Sequence, residues 1–209
     1  MNEYLPFIND PAHLARLTGH RYVVLRPNDE VSATHATGQC SVRAKYSDLA
    51  ISYPARAHVT LKGFPAGTQL EAVQALVYTW AAGVPSLRIE VERIIVFPFP
   101  FQVVIVQVRK TAPLFHAFAS LRALAKQQEL PDWPEGTIPS VDDWVFHMSV
   151  AYCSALSAAD WAAVTSFSES LTVPSVDCVV REAEVVAFDE GREYSGGVFP
   201  LSGHRGPLI

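Results

Sequence analysis

Arg56-Ala57-His58-Val59-Thr60-Leu61-Lys62 and Trp144-Val145-Phe146-His147-Met148-Ser149-Val150-Ala151 share one order of side chains: histidine, apolar, hydroxyl, apolar. On a β-strand successive side chains point to opposite faces. Each string therefore sets an imidazole beside a hydroxyl on one face and its apolar residues on the other. Two such strands facing each other make a site of phosphate size. A third match, His35-Ala36-Thr37, runs into Gly38 and Gln39 without that alternation and is set aside.

Working outward from the two strings, the chain alternates strands and helices. His20 to Arg26 reads as a strand closed by Pro27, and Arg56 to Lys62 as the first motif strand; Asp29 to Tyr46 between them fits neither period. Thr68 to Ala82 has helical spacing through Leu70, Val73, Leu76, Val77 and Trp80 and stops at Gly83-Val84-Pro85. Leu87 to Phe97 and Phe101 to Arg109 form a hairpin around Pro98-Phe99-Pro100. Pro113 to Gln128 is a second helix with a proline in its first turn. A loop rich in proline and acid leads to the second motif strand, Trp144 to Tyr152. A helix capped by Ser157 then runs to Leu171, and Val176 to Phe188 is a strand or bent pair.

Segregated helices and mainly antiparallel pairing point to an α+β fold, and the recurrence of the His-x-Thr/Ser string about once per half-chain suggests two similar lobes. The whole of 1–209 is expected to be one such domain, with 1–19 an N-terminal extension and 189–209 a C-terminal tail or edge strand. Nearly half of the 209 residues are apolar, enough for a sizeable core.

Composition excludes several functions. A formal charge of −5 argues against gripping long duplex nucleic acid, which needs a basic surface and counterion release, but leaves a small or terminal phosphate substrate open. The longest apolar stretch, Ile94 to Val108, is interrupted by Pro98, Pro100 and Gln102 and does not read as a membrane span. Met1 to Gly19 lacks the basic start and apolar segment of a signal peptide, so a cytoplasmic location is the expectation. Cys40, Cys153 and Cys178 are too widely spaced for a zinc site or a disulfide framework and read as reduced thiols.

The paired strings, their separation of 89 residues and the context Pro54-Ala55-Arg56-Ala57-His58-Val59-Thr60-Leu61-Lys62-Gly63-Phe64 resemble the two-histidine (2H) phosphoesterase superfamily, in particular its 2'-5' RNA ligase and cyclic phosphodiesterase branch. The resemblance runs from about Arg21 to Phe188. It implies an α+β, bilobal fold in which two antiparallel sheets flank a central cleft, with helices packed outside and one His-x-Thr/Ser motif strand per lobe, and it implies His58 and His147 as catalytic acid and base and Thr60 and Ser149 as phosphate binders.

The chemistry is consistent with those residues. Opening a 2',3'-cyclic phosphate takes a proton from water and gives one to the departing ribose oxygen. Two imidazoles near their ordinary pKa of about 6.5 can do both, each transfer contributing roughly 10²–10⁴-fold, with no metal and no cofactor required. Hydroxyls at 60 and 149 can donate to the non-bridging oxygens. If Arg56 and Lys62 share the His58 face, either can add positive charge to the cleft, and Lys62 is a third candidate to bind phosphate. Phe64, Phe97, Phe99, Phe101 and Tyr152 are candidates to stack a base, although strand parity puts Tyr152 on the face opposite His147. His13, His20, His116 and His204 read as surface or packing residues.

The expected activity is metal-independent hydrolysis of a 2',3'-cyclic phosphate or a 2'-5' linkage. The expected partner is a small nucleotide or RNA terminus. The alternatives are the reverse, ligating reaction, a nucleotide- or RNA-end-binding protein without turnover, and a partner-binding domain whose motif matches are accidental.

Overall fold

The computed structural model describes residues 5–6, 15–131, 141–189 and 192–202. Its strands are β1 (Leu5–Pro6), β2 (Arg21–Leu25), β3 (Val59–Phe64), β4 (Leu87–Phe97), β5 (Val103–Val108), β6 (His147–Tyr152), β7 (Asp177–Val180), β8 (Glu182–Asp189) and β9 (Arg192–Pro200). Among the described residues four α-helices of three turns or more join them, α1 (Asp29–Lys45), α2 (Leu70–Ala81), α3 (Ala112–Gln127) and α4 (Ala158–Ser170), with a short 3-10 turn at Val141–Asp143. The strands form two antiparallel sheets, one in the order β1-β9-β8-β2-β3 and the other β6-β5-β4-β7. The fold is α+β, and each sheet ends in one motif strand.

Alternation decides which face each sheet buries. In β2, Val23 and Leu25 enter the main core shared by both sheets, whereas Val24 joins Val186 and Phe188 in a small second cluster with Leu17, Tyr22 and Tyr152. The helices cover the core side. α1 packs on β6 and β7, α2 on β2, β8 and β9, α3 on β3 and β4, and α4 on β4. Trp80 fastens α2 to α3 by donating its indole N–H to the Ala117 carbonyl (3.0 Å) and Ser120 Oγ (3.1 Å). α2 lies so close to β9 that a Cβ at Gly196 would sit 2.8 Å from Leu70 Cδ1, and the end of that leucine side chain would have to shift to admit it.

Several expectations shift at this level. The ambiguous stretch after Pro27 is the longest helix, α1, started by the Asn28 side chain, which accepts from the Val31 N–H (3.0 Å). Its buried face, Val31, Thr34, His35, Gly38 and Val42, has helical spacing but little apolar content, so no hydrophobic period showed. Val176 to Phe188 is two strands in different sheets: the chain crosses at Arg181 from β7 to β8. Arg192 to Pro200 is an inner strand of its sheet, paired with β8 on one side and β1 on the other. Both motif strands are shorter than expected and begin at or just after their histidines. Most of the loop rich in proline and acid, together with His13 and His204, lies outside the described residues. No described helix is long and apolar enough to cross a membrane.

Candidate active site

The two motif strands lie side by side, β3 against β6, each at the end of its sheet. Each carries a β-bulge at the same step of the motif. On β3, Thr60 faces Val24 and Lys62 faces Val23, leaving Leu61 as the extra residue. On β6, Ser149 faces Ile105 and Ala151 faces Val104, leaving Val150 as the extra residue. An extra residue reverses the in–out alternation beyond it.

That reversal corrects two expectations. Lys62 is not on the Thr60 face. It pairs with the core residue Val23, is 4% exposed, and holds its ammonium 4.9 Å from the centre of the Phe64 ring. Tyr152, by contrast, is turned onto the His147 face. It packs against the Val24–Val186–Phe188 cluster and hydrogen-bonds the Ser149 side chain.

His58, Thr60, His147 and Ser149 are all half-buried. His147 opens β6 and donates Nδ1–H to the carbonyl two residues earlier, Val145 (2.9 Å). His58, just before β3, has the equivalent backbone partner in Arg56. With Nδ1 so occupied in His147, Nε2 is the nitrogen left for chemistry. The imidazoles are near enough that charge on His147 opposes charge on His58.

Surroundings differ more than backbones do. Arg26 follows β2 and runs back across the sheet. Nε donates to Glu184 of β8 (2.6 Å), Nη2 pairs with Glu193 of β9, and Nη1 lies 3.4 Å from both the Ala57 carbonyl and His58 Nδ1. Glu184 and Glu193 are 6% and 3% exposed, which makes this a buried, braced cation beside one catalytic candidate. Desolvation first, then the Arg26 charge, then His35, push the His58 pKa down to about 3. For His147 desolvation alone pulls the pKa below its ordinary value, against the raising effect of the Val145 carbonyl. Its ring meets Phe97 edge-on, with centroids 4.8 Å apart.

A third imidazole sits behind the site. His35, from α1, is 3% exposed and its Nε2 lies 2.6 Å from the Ser149 carbonyl. Gln39, one turn on, donates to the Val150 (3.2 Å) and Pro54 (2.9 Å) carbonyls, so α1 holds the bulge of β6 and the approach to His58 together. Setting aside His35-Ala36-Thr37 as a motif strand agrees with its helical setting, but the histidine itself belongs to the surroundings of the site. The other missed residues are Arg26, Glu184 and Glu193. Their pairing spans 158 and 167 positions along the chain, so no local pattern marks it.

Of the stacking candidates, Phe97 and Tyr152 reach the site, Phe64 belongs to the core, and Phe99 and Phe101 are 80% and 60% exposed. Among the described residues no cluster of three histidine, cysteine or acidic side chains is placed to hold a metal ion.

Comparison with known proteins gives the family and the fold. The family model of the 2'-5' RNA ligase superfamily matches residues 27–192. TT0787 of Thermus thermophilus superposes with a TM-score of 0.66 at 18% identity, over 89% of this chain and 100% of its own. LigT of E. coli, solved with ATP, superposes with a TM-score of 0.57 at 14% identity, over 88% and 98%. Usb1 of Kluyveromyces marxianus gives 0.54 at 10% identity, over 88% and 99%. No curated protein matches the sequence.

Proposed function

Because the chain belongs to the 2'-5' RNA ligase superfamily, we propose that it is a metal-independent phosphodiesterase that hydrolyses 2',3'-cyclic phosphates or 2'-5' linkages at RNA ends or in small nucleotides. The observation that carries this is the pairing of His58 with Thr60 and of His147 with Ser149 on adjacent strands with identical bulges. E. coli LigT, of the same fold, has been solved with ATP, NADP+, 3'-AMP and phosphate, and a nucleotide phosphate suits this cleft as well.

The surroundings divide the roles. A guanidinium beside His58 opposes a second charge on that ring, so His58 stays neutral and takes the proton of the attacking water as oxygen bonds to phosphorus. At His147 burial lowers the pKa, the Val145 carbonyl raises it, and a bound phosphate anion favours the protonated form. It gives its proton to the ribose oxygen as that phosphorus–oxygen bond breaks, leaving a phosphate monoester and a free hydroxyl. Thr60 and Ser149 donate to the non-bridging oxygens, where negative charge gathers. Lys62, turned to the core side, has no phosphate contact in this mechanism.

The test is a panel of 2',3'-cyclic nucleotides and 2'-5'-linked dinucleotides in excess EDTA, with wild type, His58→Ala and His147→Ala. Turnover in chelator that collapses in both variants is expected. No turnover of any member by wild type would overturn the assignment in favour of a binding protein.

A further inference from the structure

Beyond Arg26 the concave face of the first sheet continues. Val198 of β9 pairs with Glu184, the residue that holds Arg26, so Val198 shares the face on which Arg26 lies. There the chain's crossing from β7 to β8 leaves an open cavity of about 460 Å³, walled by Arg26, Asn28, Arg56, Val179, Arg181 and Val198. That volume lies in the range of small-molecule sites.

Two features of the wall point to a ligand. Val179 and Val198, 50% and 51% exposed, are among the few large apolar side chains the described surface leaves open, and both line this cavity. Arg56 and Arg181 also line it, and neither makes an ion pair among the described residues. Two carboxylates reach the wall: Glu184 is paired with Arg26, which leaves Glu182 against two arginines in a chain whose overall charge is −5. The cavity adjoins the chemistry on the His58 side, since Arg26 approaches that imidazole and Arg56 precedes it by two residues.

We propose that this cavity is a second subsite that takes the neighbouring nucleotide of a di- or oligonucleotide, its phosphate at Arg56 and Arg181 and its nucleoside against Val179 and Val198. The assignment rests on the phosphodiesterase reading and narrows its substrate class, which includes cyclic mononucleotides, to chains of at least two nucleotides. Phosphate between two guanidinium groups and an apolar wall beside them match the two halves of a nucleotide.

The experiment compares adenosine 2',3'-cyclic phosphate with a 2'-5'-linked diadenylate carrying a 5'-terminal phosphate. Arg56→Glu/Arg181→Glu is expected to lower the dinucleotide-to-mononucleotide ratio of kcat/KM at least tenfold, chiefly through KM of the dinucleotide. Arg181→Glu alone, which leaves the segment before His58 untouched, is expected to lower it severalfold. A ratio within twofold of wild type in both variants overturns the subsite. If wild type turns over neither substrate, the phosphodiesterase reading fails, and fluorescence anisotropy of the labelled dinucleotide still reads the subsite. A Kd weakened tenfold or more by the double variant at low salt supports it, and an unchanged Kd overturns it.

Discussion

The motif strands β3 and β6 are near copies in backbone and far apart in environment. Each presents a histidine with a backbone partner two residues earlier, a hydroxyl two residues later, and a bulge directly after the hydroxyl. His58 faces a cation braced by two buried carboxylates; His147 stands perpendicular to an aromatic ring. Local chain geometry thus makes two equivalent histidine positions. Residues distant in sequence then make them unequal, and the proposed division into base and acid rests on that inequality.

The most damaging way to break the pair is to remove either imidazole. His58→Ala and His147→Ala are each expected to lower kcat/KM on a 2',3'-cyclic nucleotide by roughly 10²–10⁴-fold, measured by product release in EDTA. A loss confined to one variant would break the equivalence of the two positions.

Removing the cation attacks the asymmetry instead. Arg26→Gln leaves Glu184 and Glu193 buried without their partner, at a cost of about 3–5 kcal/mol in urea unfolding. The same variant carries a second readout that a structural role would not move. Taking away positive charge raises the His58 pKa from about 3, so the acid limb of the kcat/KM profile, where His58 gains its proton, moves to higher pH. The alkaline limb, where His147 loses its proton, stays in place.

The hydroxyls test the equivalence at smaller scale. Thr60→Val and Ser149→Ala are each expected to cost about 10–100-fold in kcat/KM, the effect of one hydrogen bond of about 1.5–3 kcal/mol to a charged group. Ser149→Ala also removes the hydrogen bond between the Ser149 and Tyr152 side chains. Because that bond lowers the Tyr152 pKa, its loss lets the phenol titrate still higher in a spectrophotometric pH titration.

The histidines also make stability depend on pH. His35, His58 and His147 all titrate below the ordinary histidine value when folded. The unfolded chain therefore binds more protons as pH falls below about 6.5, and stability present at neutral pH is lost progressively toward the folded value of about 3 for His58. Unfolding midpoints in urea at pH 7 and pH 4.5 are expected to differ less for His58→Asn than for wild type.

Much of the architecture was legible because it rests on local periodicity. The alternation around His58 and His147, the helical spacing of Leu70 to Trp80 and of Leu114 to Leu124, and the Ser157 cap all have counterparts in β3, β6, α2, α3 and α4. What stayed hidden depends on tertiary structure. α1 buries threonine, histidine and glycine, so it carries no apolar stripe. The bulges at Leu61 and Val150 leave no mark in the residues themselves, yet they turn Lys62 away from Thr60 and bring Tyr152 to Ser149. Arg26 looked like the end of a strand; only the curl of the sheet brings Glu184, Glu193 and His58 around it.

The most direct test of unequal histidines is leaving-group rescue. A p-nitrophenyl phosphodiester releases an anion that departs without a proton, so it has no need of a general acid but still needs a base. On this substrate His147→Ala is expected to recover most of the wild-type kcat/KM while His58→Ala remains crippled. Equal rescue of both variants, or rescue of His58→Ala alone, would contradict the assignment of His58 as the base.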